Sequence, residues 1–226
     1  MLAAYGVGIA KYQAHHLDGA IDSFDMFFKL KSELDVEGVE YGAPPLGMPL
    51  ARFYYAHALF NTQRLEQSKA QLHAYFADVE TAGPQRILNL PNSMLGREVS
   101  DVERAASRFK VRASSPEAQA DGYTMLAMIA EREEGLDVAI DLQRKCIGLA
   151  SGKQLADAHN QIARLYRALG NEEQQVCHQN IEAELRAKIV KDEKEAAEKA
   201  ANESASNESS AVEAPLGDAD QSADPS

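Results

Sequence analysis

The side chains that could do chemistry are few and poorly grouped. His15 and His16 are adjacent. Neighbours in sequence point in different directions on a helix, and no Cys, Asp or Glu stands beside them at ligand spacing, so no metal site is expected. Cys146 and Cys177 are the only cysteines. They read as small packing residues in two second helices rather than as a redox pair, and two thiols fit a reducing compartment better than a disulfide scaffold. Glu133-Glu134 and Glu172-Glu173 fall at turns, where paired carboxylates act as solvated helix-start charge. The sequence holds no Gly-x-Ser-x-Gly, no phosphate loop and no His-Glu-x-x-His. No catalytic residue and no cofactor is expected, and the chain reads as a non-enzyme. Arg164 and Arg167 are three residues apart and share a helix face. The positions four residues before them are Asn160 and Ala163, which supply no acidic partner. Two readings follow: these guanidinium groups are solvated or pair with Glu or Asp of the preceding helices, or they receive a carboxylate-rich partner segment through bidentate contacts.

The elements that must position such residues are helical. From Ala156 to Leu185, apolar residues at Ile162, Ala163, Leu165, Tyr166 and Leu169 follow the helical period. Gly170-Asn171 accepts the left-handed conformation that ends helices. A second helical run follows with Val176, Ile181 and Leu185. Two short amphipathic helices cannot bury their apolar faces alone, and need copies of themselves as neighbours.

The sequence supplies such copies. One runs over residues 2–34, with Gly8, Ala20 and Phe24 at the close-packing positions, and with His15-His16-Leu17-Asp18 as the turn and Asp18 as its helix N-cap. A second runs over 50–79 at a shift of 48, matching Phe60 to Tyr12, Leu65 to Leu17, Ser68 to Ala20, Leu72 to Phe24 and Tyr75-Phe76 to Phe27-Phe28. A third covers 117–149, with Tyr123, Leu126, Ala127 and Ala130 in its first helix, Gly135-Leu136 as its turn and Ala139 at the small position. The fourth covers 156–187, and a degenerate copy fits at 84–115. Residues 35 to 49 hold three Gly and three Pro and read as a spacer loop.

This pattern resembles the tetratricopeptide repeat (TPR) family, whose helix-pair signature is Trp-x2-Leu-Gly-x2-Tyr followed by Ala, Phe and Ala. His159 takes the Trp position, Ile162 the Leu, Ala163 the Gly and Tyr166 the Tyr. Gln175, Gln179 and Glu182 depart from the consensus, as a terminal capping repeat tolerates. The resemblance implies an all-α chain of antiparallel helix pairs, stacked as a right-handed α-solenoid over residues 1–190. It implies a concave groove lined by the first helices. Residues expected there include Tyr12, Phe53, His57, Phe60, Met128, Asn160, Arg164 and Arg167, and the implied function is a protein–protein interaction scaffold or adaptor. The Lys and Asn clamp of chaperone-binding members has no match here. The expected partner is an amphipathic or acidic helical segment of another protein. The alternative is a structural subunit of a cytoskeletal or axonemal assembly.

Composition sets the outer limits. The chain has 226 residues and a formal net charge of −12, which opposes nucleic-acid binding. No apolar run is long enough to span a membrane, and no signal peptide is read at Met1-Leu2. A cytoplasmic setting is expected, or a cytoskeletal or ciliary one. Residues 191–226 read as a charged helix end and, from Asn202, a disordered acidic tail.

Overall fold

The structure, a computed structural model, describes residues 2–36, 48–82, 115–133 and 135–210. Residues 37–47 of the Gly/Pro spacer at 35–49, residues 84–114 of the degenerate copy at 84–115, Glu134 and residues from 211 onward lie outside the described residues, and the first part of the expected tail, 202–210, belongs to the last helix. Within them the chain is all-α. The helices are α1 (Leu2–Gln13), α2 (Leu17–Val36), α3 (Met48–Asn61), α4 (Leu65–Ala82), α5 (Pro116–Glu133), α6 (Leu136–Ile147), α7 (Gly152–Ala168) and α8 (Glu172–Ser210). They pack as hairpins: α1 on α2, α3 on α4, α5 on α6, α7 on α8. Successive hairpins stack through α2 on α3, α4 on α5 and α6 on α7, and the first helices also meet, α1 on α3 and α3 on α5.

The hairpin turns share one backbone device. His15 has φ 60° and Gln63 has φ 63°, at the same place in the first and second pairs, and Gly170 has φ 74° in the last. Each is followed by an amide that reaches back five residues: His16 N–H donates to Lys11 O (2.9 Å), Arg64 N–H to Leu59 O (2.9 Å) and Asn171 N–H to Tyr166 O (2.9 Å). That bond closes a helix end on a left-handed residue. Glycine does this without strain at Gly170, whereas His15 and Gln63 hold the conformation at a cost. Asp18, expected as an N-cap, lies inside the first turn of α2 instead, where it accepts from Arg64 Nη2 at 3.1 Å.

Small residues let the paired helices approach. Ala20, Ser68 and Ala139 are fully buried at matching positions of the second helices. Ser68 keeps its hydroxyl satisfied by donating to Ala56 O at 2.8 Å. On the first helices, Gly8, Ala56, Ala127 and Ala163 are all buried. A Cβ on Gly8 would lie 2.8 Å from Cε1 of Phe24, so the ring of Phe24 occupies the space that any side chain there would need.

Two clusters organise the first half. Phe24, Phe27, Tyr55 and Leu59 form one with Ala20 and Ile21. Leu72, Met125, Leu126 and Ile129 form another, which joins α4 to α5. Arg52 ties α3 to α4: its Nε donates to Asp78 Oδ2 at 2.6 Å, its Nη1 to Gln71 Oε1 at 3.0 Å, and its guanidinium lies 4.9 Å from the Phe28 ring centre. In the second half, Ala130, Ile140, Ile162, Leu165 and Tyr166 pack together. Cys146 is buried in a separate cluster with Ala120 and Ala158, as a packing residue should be, but Cys177 is exposed. The packing role expected of Cys177 is thus not the one it has, because the outer face of α8 carries no neighbouring helix among the described residues.

Candidate functional site

A groove of about 450 Å³ opens where the first helices of three pairs converge. Tyr12 enters it from α1. Leu50, Phe53, Tyr54 and His57 line it from α3, and Glu117, Ala118, Asp121, Thr124, Met125 and Met128 from α5, with Ser115 at the edge. Four residues expected at a concave surface therefore meet in one place: Tyr12, Phe53, His57 and Met128. Helical geometry explains the α5 wall. Residues 117, 121, 124 and 128 are spaced by four, three and four, which keeps them on one face.

At its centre the His57 Nδ1 has two polar neighbours. The Tyr12 hydroxyl lies 2.8 Å from it, and so does Asn61 Nδ2. An amide nitrogen can only donate, so Nδ1 is the acceptor and the neutral ring carries its proton on Nε2. Burial lowers the pKa of His57, against an opposing pull from Asp121. Burial, with Tyr54 adding to it, pushes the Tyr12 phenol up to about 12. Tyr12 is further held by rings on two sides, 4.8 Å from Tyr54 and 5.5 Å edge-on from His57. Thr124 donates its hydroxyl hydrogen to Ala120 O at 3.0 Å, with Cys146 Sγ at 3.3 Å. The one imidazole thus has its basic nitrogen occupied, and the hydroxyl has a carbonyl to hold its hydrogen. This is an arrangement for holding shape rather than for moving protons.

The other expected residues lie elsewhere. Phe60 packs into the α4–α5 cluster beside Leu65 and Leu72 rather than into the groove. Asn160, Arg164 and Arg167 are exposed on α7, away from the groove lining. Arg164 is paired within the chain: it clamps Glu131 of α5 with both terminal nitrogens, Nη1 to Oε1 at 2.7 Å and Nη2 to Oε2 at 2.5 Å, while Nε reaches Gln161 Oε1 at 3.1 Å. Of the two readings of that arginine, pairing with the preceding helices is the one seen. Sequence reading missed Leu50, Tyr54, Glu117 and Asp121. The acidic pair was within reach, since extending the Thr124–Met128 stripe backward along α5 arrives at both.

A second polar cluster fastens α8 to α7. His159 and His178 face each other with Nδ1 atoms 2.9 Å apart and ring centres 5.1 Å apart. The Tyr166 ring stacks on His178 at 5.7 Å, and Arg144 Nη2 donates to the Tyr166 hydroxyl at 2.7 Å. A single proton can bridge the two nitrogens; a second would set N–H against N–H. Burial lowers the pKa of both rings, and His159 and Arg144 lower His178 further.

These shifts give a pH dependence. The folded chain takes up protons on His57, His159 and His178 less readily than the unfolded chain, whose histidines titrate near about 6.5. Their contribution to stability is full above that value and is lost as pH falls toward the lowered folded values. The urea midpoint is expected to drop between pH 7.5 and 5.5, before most carboxylates titrate. The drop should be smaller in His178→Gln, and an unchanged midpoint in the parent chain would contradict the assignment.

No protein-family model matches the sequence, and no curated protein does. Solved structures of MamA match at low similarity. A crystal structure of MamA is 17% identical, with 82% of this chain and 97% of that chain covered and a TM-score of 0.35. A second, described as a crystal structure of MamA protein, is 17% identical over 84% of this chain and 93% of that chain, with a TM-score of 0.37. A third, MamA of AMB-1, is 16% identical over 81% and 98%, with a TM-score of 0.34. Superposition scores this low leave the function of the groove to its own residues.

Proposed function

We propose that this chain is a non-enzymatic scaffold that holds a segment of a partner protein in the groove between α1, α3 and α5. One observation carries the reading. Side chains from three separate helix pairs converge on a concave, partly apolar surface, and at its centre the Tyr12 hydroxyl and the His57 ring hold one another. Binding sites favour such pre-ordered concavities, because ordering side chains on association costs affinity. Helix-pair repeats suit the task, since stacking presents first helices side by side. Among the described residues no three His, Cys, Asp or Glu side chains are placed to hold a metal ion, and no helix is long and apolar enough to cross a membrane. A partner protein is the ligand these features favour.

A photo-crosslinking amino acid placed at position 128 tests this. Adducts with a partner are expected from that position and not from position 173, which is exposed at the start of α8. Equal yields from both positions, or adducts from neither, would remove the groove as the binding site.

A further inference from the structure

The charges around the groove choose among partner segments. Glu117 and Asp121 stand four residues apart on α5, both exposed and both on the lining. Among the described residues neither has a cation paired with it. Asp121 accepts a hydrogen bond from the neutral amide of Gln154, Nε2 to Oδ1 at 2.6 Å, and the same nitrogen donates to the backbone carbonyl of Glu117 at 2.9 Å. Those bonds fix the rim of the groove and, among the described residues, leave both negative charges without a cation. The imidazole on the opposite wall does not supply a cation, because its Nδ1 accepts from the Asn61 amide and the ring is then neutral. The same lining includes the apolar side chains of Phe53 on α3 and Met128 on α5.

Resting on the scaffold reading above, we propose that the groove takes a basic, apolar peptide segment, with Lys or Arg over Glu117 and Asp121 and an apolar side chain against Phe53 and Met128. An acidic segment would set carboxylate against carboxylate, and like charges brought together at an interface are costly. The net charge of −12 repels such a segment before contact and draws a basic one in. This reverses the sign of the partner that Arg164 and Arg167 suggest from sequence. From residue 117 to residue 128 the stripe runs about 16 Å along the helix axis. That is the length of about five extended residues or three turns of a helix.

Selection of a random dodecapeptide display library on the full chain tests the sign of the charge. Peptides with two or more Lys or Arg beside an apolar residue are expected. Synthetic copies should bind Glu117→Gln/Asp121→Asn about tenfold more weakly than the parent, the size that two exposed charge contacts can supply. The difference should shrink in high salt. Met128→Trp fills the groove without changing charge, and should abolish binding. Both variants keep or enlarge existing side chains, and a thermal melt checks that each is folded. Acidic or uncharged peptides that are lost in Met128→Trp would overturn the basic occupant and leave the scaffold reading standing. So would basic peptides lost in Met128→Trp but indifferent to the neutralised pair. Peptides indifferent to Met128→Trp, or no enrichment at all, would overturn both.

Discussion

Phe24→Ala is expected to destabilise the chain by about 3–5 kcal/mol, the range for emptying a buried aromatic site. Phe24 is fully buried. Its ring meets the open face of Gly8 on one side and lies 5.7 Å from the Tyr55 ring on another. It therefore spans α1, α2 and α3, and no small movement of one helix can refill the space. Urea unfolding followed by circular dichroism should show the loss as a lower midpoint with little change in slope. A change under about 1 kcal/mol would mean that the first pair is not packed in this register.

Gly122→Val should separate the halves of the molecule. Glycine inside a helix ordinarily costs about 0.5–1 kcal/mol relative to alanine, so a side chain there would usually help. Here a Cβ would lie 2.9 Å from Cζ of Phe76 and 3.4 Å from Cε1 of Tyr75. Tyr75 is fully buried, and Phe76 is stacked on Tyr123 with ring centres 4.2 Å apart, so neither ring can swing away freely. Overpacking of this kind costs about 1–3 kcal/mol. The damage falls on the joint that links α3 and α4 to α5. In a stack where each pair touches only its neighbours, weakening one joint reduces cooperativity as well as stability. Calorimetry is expected to show a broadened or two-step transition at lower temperature. Gly6→Val is the control, because nothing lies within 4 Å of a Cβ at that position. A single sharp transition at the parent midpoint would show that the joint tolerates the added bulk.

The helix pairs were legible because their signals are local. The shift of 48 that matches Phe24 to Leu72 and Ala20 to Ser68 also matches the left-handed residues His15 and Gln63, although neither of those is a glycine that would draw the eye. Part of the groove was legible for the same reason: first-helix positions share a face, so Tyr12, Phe53, His57 and Met128 could be placed without knowing how the pairs stack. What was not legible depends on register between pairs. Arg164 looks unpaired along its own helix, and meets Glu131 only once α7 lies across α5. Phe60 has the same spacing as Tyr12 but packs, partly buried, against the α4–α5 cluster. Cys177 follows a second-helix pattern that elsewhere has a helix on both sides.

The length of α8 has a consequence for how its far end is held. It is 39 residues, against 17 for α7, so about half of it, near 30 Å at 1.5 Å per residue, continues past its neighbour. From Lys191 to Ala201 it is exposed all but throughout, and its visible supports are i,i+4 pairs such as Lys191 with Glu195 at 3.7 Å and Lys194 with Glu198 at 4.0 Å. A free peptide of that sequence would have to start its own first turn, the unfavourable step in helix formation. Here the packed half is a permanent nucleus, so the distal half needs only propagation, one bond per residue. Its melting therefore runs inward from the distal end, gradually and with added sensitivity to salt, as fraying rather than as a transition.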